Sequence, residues 1–444
     1  MPGLRFTLNG AAVTAGDAPP TTTLLDWLRA RGLSGTKEGC AEGDCGACTV
    51  VLEDGDSRRP INACLCVLGQ LHGRAVRTVE GLGRAHPVVQ AMAQGGATQC
   101  GFCTPGIVMA AWAWTREGGD PHAALAGNLC RCTGYRPILD ALATMADDGA
   151  AAPAAVPDSA RFGGFHLPAT LKEALALRAQ HPQAMLLMGG TDLGLRFSEH
   201  RERPDTVICL LNVAEMQGVA ATRDGQRIGA AAPYAEWLAA CRADARFAAL
   251  VPYLERLGSR QIRALGTVAG NLGTASPIGD ALPVLLALDA EVETSARRLP
   301  VAAFLTGYRR NALTPGELIV AIHLPAPPAG ALLAAEKLSR RHDQDISAVS
   351  LAACVEFMGG VVSRARLAFG GMAATALRAP EAEAALLGRA LDDAAAQAAG
   401  AALRFTPMDD HRASAAYRLE AARGLLRRLA LRHTHPELPA EVHA

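Results

Sequence analysis

Eight of the chain's 12 cysteines fall into two groups within the first 132 residues. The first reads Cys40-x4-Cys45-x2-Cys48, with Cys64 following after fifteen intervening residues. The second reads Cys100-x2-Cys103 and then Cys130-x-Cys132. Four thiolates per group is what one iron–sulfur cluster takes, and the first spacing is that of plant-type [2Fe–2S] ferredoxins. Gly39, Gly43 and Gly46 let the backbone wrap tightly there and aim N–H groups at sulfur. Structural zinc favours C-x2-C knuckles, which the x4-then-x2 run fits less well, and C-x-C seldom makes good zinc geometry. A redox dithiol at Cys100 and Cys103 calls for a βαβ context, whereas the surroundings read helical. Spacing alone leaves Cys64 and Cys66 both open as fourth ligand of the first group. Cys209 and Cys354 lie in apolar strand-like runs and read as small buried hydrophobes; Cys66 and Cys241 are assigned no function.

A length of 444 residues implies two to four domains. Basic and acidic residues balance at 43 each and aromatics are only 4%, so neither a nucleic-acid partner nor a base-stacking surface is expected. No apolar run reaches the roughly 18 residues that span a bilayer, so no membrane role is expected. The N-terminus lacks the pattern of a secretory signal, and cysteines at metal spacing then read as reduced thiols of a cytoplasmic protein.

Residues 4–13 alternate around Asn9-Gly10, a strong hairpin signal. A helix over Leu24–Ala30 follows, with Thr23 and Asp26 at its start and Gly32 at its stop. Residues 49–53 and 76–79 read as strands, completing a small β-grasp-like domain. Helical patterns over 86–94, 106–117, 121–126 and 137–146 place the second cysteine group at helix ends of an all-α domain. An Ala/Pro-rich stretch beginning at 149 reads as a linker. Beyond it come a helix at 171–180, an apolar strand at 184–188 and alternating α/β texture. A last unit has strands near 349–357 and 363–369 and helices at 380–387 and 415–432. Arg340, Arg341 and His342, and Arg423, Arg427, Arg428 and Arg432 on the last helix, read as solvated faces.

Two loops carry a second chemistry. Gly189-Gly190-Thr191-Asp192-Leu193 follows an apolar strand, and successive N–H groups there make a nest for phosphate as readily as a plain tight turn. The stretch 265–280 packs four glycines with Thr267, Asn271, Thr274 and Ser276, short donors that suit a diphosphate and a ribityl chain. Asp280, just before an apolar run, reads by default as a helix N-cap. Together the loops favour a dinucleotide without deciding between flavin and nicotinamide.

These residues together resemble the iron–sulfur/FAD small subunits of bacterial xanthine dehydrogenases, in the molybdenum hydroxylase family. The likeness is carried by residues 38–49, Asn62-Ala63-Cys64, 78–81, 99–106 and 127–135, and in the flavin half by 189–192, 266–280, 337–341 and 343–346. It covers nearly the whole chain. The resemblance implies a multidomain α+β protein. Its parts are a β-grasp ferredoxin-like [2Fe–2S] domain (1–80), an all-α four-helix [2Fe–2S] domain (81–148) and a linker (149–162). An FAD-binding α/β domain of vanillyl-alcohol-oxidase (PCMH) type (163–330) and a C-terminal α+β flavoprotein domain (331–444) follow. It implies two [2Fe–2S] clusters on Cys40, Cys45, Cys48 and Cys64, and on Cys100, Cys103, Cys130 and Cys132. It implies FAD, with Gly189, Gly190, Thr191, Asp192 and Leu193 on the diphosphate side. Thr267, Asn271, Thr274 and Asp280 match further FAD-contacting positions, and Leu318, Ile319 and Lys337 match positions near the isoalloxazine. Gln99 matches a residue facing the molybdopterin of the catalytic part. Leu257 stands where the family often has an aromatic residue against the flavin.

No segment resembles a molybdopterin domain, so substrate oxidation, and with it any catalytic residue, is expected on a molybdopterin-binding large subunit, in an α2β2 heterotetramer. Three-subunit relatives such as carbon monoxide dehydrogenases keep the iron–sulfur and flavin parts on different chains. The resemblance implies electron transfer from hypoxanthine or xanthine through the two clusters to FAD and then NAD+. An aldehyde, N-heterocycle or aromatic acyl-CoA hydroxylase of the same family is an alternative, as is a non-catalytic redox-sensing iron–sulfur protein or a zinc-stabilised binding protein.

Overall fold

A computed structural model describes residues 3–155 and 158–438. The chain forms two compact units, one from residues 1–216, 233–235 and 258–267, the other from 217–232, 236–257 and 268–444.

The first unit begins with a mixed five-stranded sheet, ordered Ala11–Thr14, Arg5–Leu8, Ala75–Arg77, Thr49–Asp54, Ser57–Asn62. Its opening hairpin turns on Asn9 (φ 53°) and Gly10 (φ 83°), the two left-handed residues that a tight hairpin matching strand twist requires. Helix Leu24–Ala30 is capped by the Thr23 hydroxyl, which accepts the Asp26 N–H at 3.1 Å, and buries Leu24, Leu25, Trp27 and Leu28. Trp27 packs on Phe6 of the sheet, ring centroids 5.2 Å apart. The strand expected over 76–79 ends earlier, at Arg77, and Val79–Leu82 is helical instead. Asn9 Oδ1 takes the Thr78 N–H at 2.9 Å, so that donor leaves the strand ladder.

Helices Pro87–Gln94, Thr104–Glu117, Pro121–Leu125 and Arg136–Leu142 then pack around Val88, Ile107, Trp112 and Ile138. Arg58, almost wholly buried, pairs with Asp147 and Asp148 and donates to Ala150 O, its guanidinium 4.1 Å from the centre of the Trp112 ring. The expected linker is therefore tied down at its start, and Ala160–Phe162 at its far end is a strand. Val156 and Pro157 lie outside the described residues. The unit closes with a four-stranded sheet, ordered Ala160–Phe162, Phe165–Leu167, Val207–Cys209, Met185–Leu187. Its last three strands are parallel, and helix Leu171–Gln180 lies in the connection between two of them.

The second unit holds a five-stranded antiparallel sheet (Val219–Thr222, Gly225–Gly229, Ile319–Pro325, Glu291–Thr294, Arg298–Pro300). It also holds a four-stranded antiparallel one (Leu332–Leu338, Val349–Met358, Val361–Gly370, Leu377–Arg378). Helices Pro380–Leu386, Asp393–Ala402 and Ala415–Thr434 share a core with the second sheet. On the last helix the structure corrects the reading of a uniform solvated face. Arg423 and Arg427 are exposed, but Arg428 and Arg432 both pair with Glu336, whose side chain is only 11% exposed. A carboxylate so far out of water needs opposite charge beside it. Arg340, Arg341 and His342 are exposed, as read, and Cys66, Cys209, Cys241 and Cys354 are all buried.

Candidate iron–sulfur and flavin sites

The thiols of the first group meet two by two. Cys40 Sγ accepts the N–H groups of Glu42, Asp44 and Cys45 at 3.3–3.4 Å, in a loop that turns through left-handed Ala41, Gly43 and Gly46. The Cys45 thiol donating to it, with those N–H groups, holds the Cys40 thiol down at about 5 against the cost of burial. The other pair is buried, with Cys48 Sγ 3.4 Å from Cys64 Sγ. Cys66 points elsewhere, its Sγ 3.8 Å from Val67 O, and burial pushes its thiol up to about 12.

The second group pairs likewise. Cys132 Sγ lies 3.6 Å from Cys100 Sγ, and Cys103 lies beside Cys130. Burial opposes ionisation of Cys130, but hydrogen bonds from Thr133, Cys103 and Cys132 together outweigh it and bring that thiol to about 7. Burial, and then the Cys130 sulfur, push Cys103 up to about 12. Cys100, Cys132 and Gln99 are exposed, with Phe102 and Leu129 (48% and 44% exposed) beside them in sequence.

Two thiolates on one tetrahedral metal with bonds of about 2.3 Å sit about 3.7 Å apart. The observed pairs match that edge. A [2Fe–2S] centre has two irons and gives each a pair of thiolates, so the donor set suits two such clusters. Among the described residues, no three Cys, His, Asp or Glu side chains converge as a single metal ion requires.

The two ligand loops are joined directly. Leu129 N–H donates to Cys45 O at 2.9 Å, and Asn128 Nδ2 donates to Gly46 O at 2.9 Å. Gly46 has φ +68°, and a Cβ there would lie 2.0 Å from Gly127 O, so no side chain fits. Gln261, 1% exposed, caps the junction by donating to Asn128 Oδ1 (2.8 Å) and Thr49 Oγ1 (3.1 Å). Sequence reasoning missed Gln261, because a lone glutamine outside any motif carries no signal.

Both small-residue loops hold glycines at points of close approach. In the first unit, a Cβ on Gly189 would lie 1.8 Å from Leu265 O, and one on Gly266 would lie 3.0 Å from Thr191 Oγ1. The two stretches singled out from sequence therefore lie against each other. Gly190 has φ +77°. Thr191 and Leu193 are half-buried, Asp192 is exposed and Thr267 is buried.

In the second unit, Asn271 packs on Gly279, and its Oδ1 is buried with no partner among the described residues. Thr274 is half-buried; Leu318 and Ile319 are buried, and Ile319 Cδ1 lies 3.9 Å from where a Gly273 Cβ would stand. Leu257 is buried too. Asp280 does not act as the N-cap that its position suggested. It makes no capping bond; its carboxylate pairs with Lys337 Nζ at 2.8 Å and accepts from Ser347 Oγ. A glycine-lined cradle and an orphaned amide oxygen suit a dinucleotide with many acceptors and donors of its own.

Glu317 anchors the turn before Leu318. Burial works against its carboxylate. The Thr294 hydroxyl, the N–H and hydroxyl of Thr314 and the Arg297 guanidinium outweigh it and hold the pKa at about 2. That stabilisation is present above the ordinary carboxyl value and is lost as pH falls through about 2. Glu317→Gln is therefore expected to be less stable than the parent at neutral pH, with the gap closing toward pH 2, as read by denaturant unfolding across the acid range.

Residues 6–69 match the 2Fe-2S iron-sulfur cluster binding domain and 78–143 the [2Fe-2S] binding domain. Residues 160–327 match the FAD binding domain in molybdopterin dehydrogenase, and 334–433 the CO dehydrogenase flavoprotein C-terminal domain. Xanthine dehydrogenase of Drosophila subobscura is 34% identical over 88% of this chain and 36% of its own length. Xanthine dehydrogenase/oxidase of Mus musculus is 34% identical over 83% of this chain and 34% of its own. The chain thus spans about a third of the length of these curated relatives. Among solved structures, a carbon monoxide dehydrogenase chain from Hydrogenophaga pseudoflava is 30% identical with a TM-score of 0.56, covering 61% of this chain and 96% of that one. Quinoline 2-oxidoreductase from Pseudomonas putida 86 is 25% identical with a TM-score of 0.55, covering 63% and 99%.

Fold and site together define a multidomain α+β oxidoreductase with two [2Fe–2S]-binding domains, an FAD-binding domain and a flavoprotein C-terminal domain. The chain belongs to the molybdenum hydroxylase family, as an iron–sulfur/FAD electron-transfer module matching that part of the xanthine dehydrogenases.

Proposed function

We propose that this chain is the electron-transfer subunit of a xanthine dehydrogenase, taking electrons from a molybdopterin-bearing large subunit and passing them to NAD+. What supports this most is the joining of two four-thiol groups by the Leu129–Cys45 hydrogen bond within one unit, in a chain whose curated relatives include xanthine dehydrogenases of Drosophila subobscura and Mus musculus. Bound clusters supply one-electron steps, and FAD converts between one and two electrons. The residues do the holding. The cluster ligands on this reading are Cys40, Cys45, Cys48 and Cys64, and Cys100, Cys103, Cys130 and Cys132. Gly189, Gly190, Thr191, Asp192 and Leu193 serve the flavin diphosphate; Thr267, Asn271, Thr274 and Asp280 serve the rest of FAD, and Leu318, Ile319 and Lys337 its ring. Buried Leu318 and Ile319 keep water from that ring.

Exposed Gln99, Phe102 and Leu129 form the face offered to the large subunit, and the assembly is an α2β2 heterotetramer. The domains run 1–80, 81–148, 163–330 and 331–444, with 149–162 joining the halves. The localisation on this reading is cytoplasmic, which cysteines at metal spacing support; no described helix is long and apolar enough to cross a membrane.

The test uses the cofactor-loaded chain alone. NADH is expected to bleach its flavin absorbance, and xanthine is expected to leave it unchanged. Bleaching by xanthine without the partner overturns the division of labour. A second reading, an equivalent module of another molybdenum hydroxylase, is favoured by the carbon monoxide dehydrogenase and quinoline 2-oxidoreductase likenesses. A substrate panel on the assembled complex decides between them.

A further inference from the structure

We propose that Gln70 is a positioning residue for the flavin-diphosphate loop, anchoring residues 188–194 to the ferredoxin-like domain; this rests on the reading of that loop as an FAD site. Gln70 is 3% exposed and sits in the 3-10 turn Leu68–Leu71, six residues after the cluster-ligand position Cys64. Both ends of its amide are used. Oε1 accepts the Val67 N–H at 3.0 Å, and Nε2 donates to Met188 O at 2.8 Å. Met188 is the residue just before the Gly189-Gly190 cradle. Gly190 lies against the same amide, since a Cβ there would stand 3.4 Å from Gln70 Nε2.

The neighbouring contacts point the same way. A Cβ on Gly194, at the far end of the loop, would meet Leu65 O at 2.7 Å, and Gly69 lies against the Phe165 ring. Val67 packs in one core cluster with Phe165, Leu187 and Phe197. The segment that follows Cys64 thus grips the loop at its entry, middle and exit. Only one of these contacts, Gln70 Nε2 to Met188 O, is a side-chain hydrogen bond that a single substitution removes. With it gone, the half-buried Met188 carbonyl loses this donor and the loop can shift by the small amount that spoils a backbone nest. A methionine of similar length keeps the volume and drops both bonds. A glutamate keeps the acceptor for Val67 and donates to Met188 only when protonated.

The experiment titrates FAD into the full-length chain, stripped of flavin but retaining its clusters, and follows flavin fluorescence. Gln70→Met is expected to weaken FAD binding about ten- to hundredfold, with iron content and the visible circular dichroism of the clusters unchanged. Gln70→Glu is expected to be weak at neutral pH and to regain affinity relative to the parent as pH is lowered. FAD bound by Gln70→Met as tightly as by the parent overturns the proposal. If that variant does not fold, a pH-independent ratio for Gln70→Glu overturns it instead. Thr191→Val separates the two levels. Weakened FAD binding by Thr191→Val with none by Gln70→Met sinks only the role of Gln70, whereas no effect from either variant sinks the loop as an FAD site.

Discussion

Cys64→Ala is expected to lower the iron content of the chain from about four to about two atoms and to remove one of the two paramagnetic signals of the dithionite-reduced protein. Cys66→Ala, two residues on, is expected to keep about four atoms and both signals. The contrast is large because thiolate ligation is all-or-none for a two-iron centre: three sulfurs leave one iron under-coordinated and open to water. Cys64 faces Cys48 at 3.4 Å, inside the distance that two ligands of one tetrahedral metal share. Cys66 lies in the apolar core with Leu24, Leu28 and Leu68, and burial, the largest cause, pushes its thiol up to about 12, away from the thiolate form a ligand needs. Alanine at 66 costs at most a small cavity, of order 1 kcal/mol. Iron analysis and low-temperature electron paramagnetic resonance read both variants directly. Retention of both signals by Cys64→Ala, or loss of one by Cys66→Ala, reverses the assignment of the fourth ligand.

Lys337→Met is expected to destabilise the second unit by about 3–5 kcal/mol. The Lys337 side chain is 1% exposed and that of Asp280 10%, and their charges meet at 2.8 Å. Removing the ammonium leaves a carboxylate in a dry place, solvated among the described residues by the Ser347 hydroxyl. The Arg256 carbonyl, which now accepts from Lys337 Nζ at 3.1 Å, loses that donor as well. The companion double variant, Lys337→Met with Asp280→Leu, is expected to recover most of the loss, because an apolar pair of similar volume carries no desolvation cost. Denaturant unfolding of both variants measures the coupling. Loss from Lys337→Met below about 1 kcal/mol would mean that water reaches the pair.

The two four-cysteine groups were legible because iron–sulfur chemistry demands one residue type at fixed spacings, and the structure brings Cys48 to Cys64 and Cys100 to Cys132. The small-residue loops were legible as places of close approach, since Gly189 meets a carbonyl that no Cβ tolerates and Gly266 sits in tight contact with Thr191. What stayed hidden depends on partners distant in sequence. Gln261 reaches Thr49 across 212 residues, and Gln70 reaches Met188 across 118; neither glutamine belongs to a motif. Asp280 reads locally as a cap, and only Lys337, 57 residues on, shows where its charge goes. Arg428 and Arg432 show the same limit, since helical spacing sets the face of a side chain but not whether a buried carboxylate such as Glu336 waits there. Val79 left its strand because Asn9 captured the N–H of the residue before it.

Gln261 and the few residues around it belong to the first compact unit although most of that unit is made by residue 216. On a ribosome emitting chain from the N-terminus, both thiol groups emerge long before the glutamine that seals the space between their loops. A chain cut short before residue 261 therefore lacks the amide that bonds Asn128 and Thr49, and the junction between its two thiol loops stays open to water.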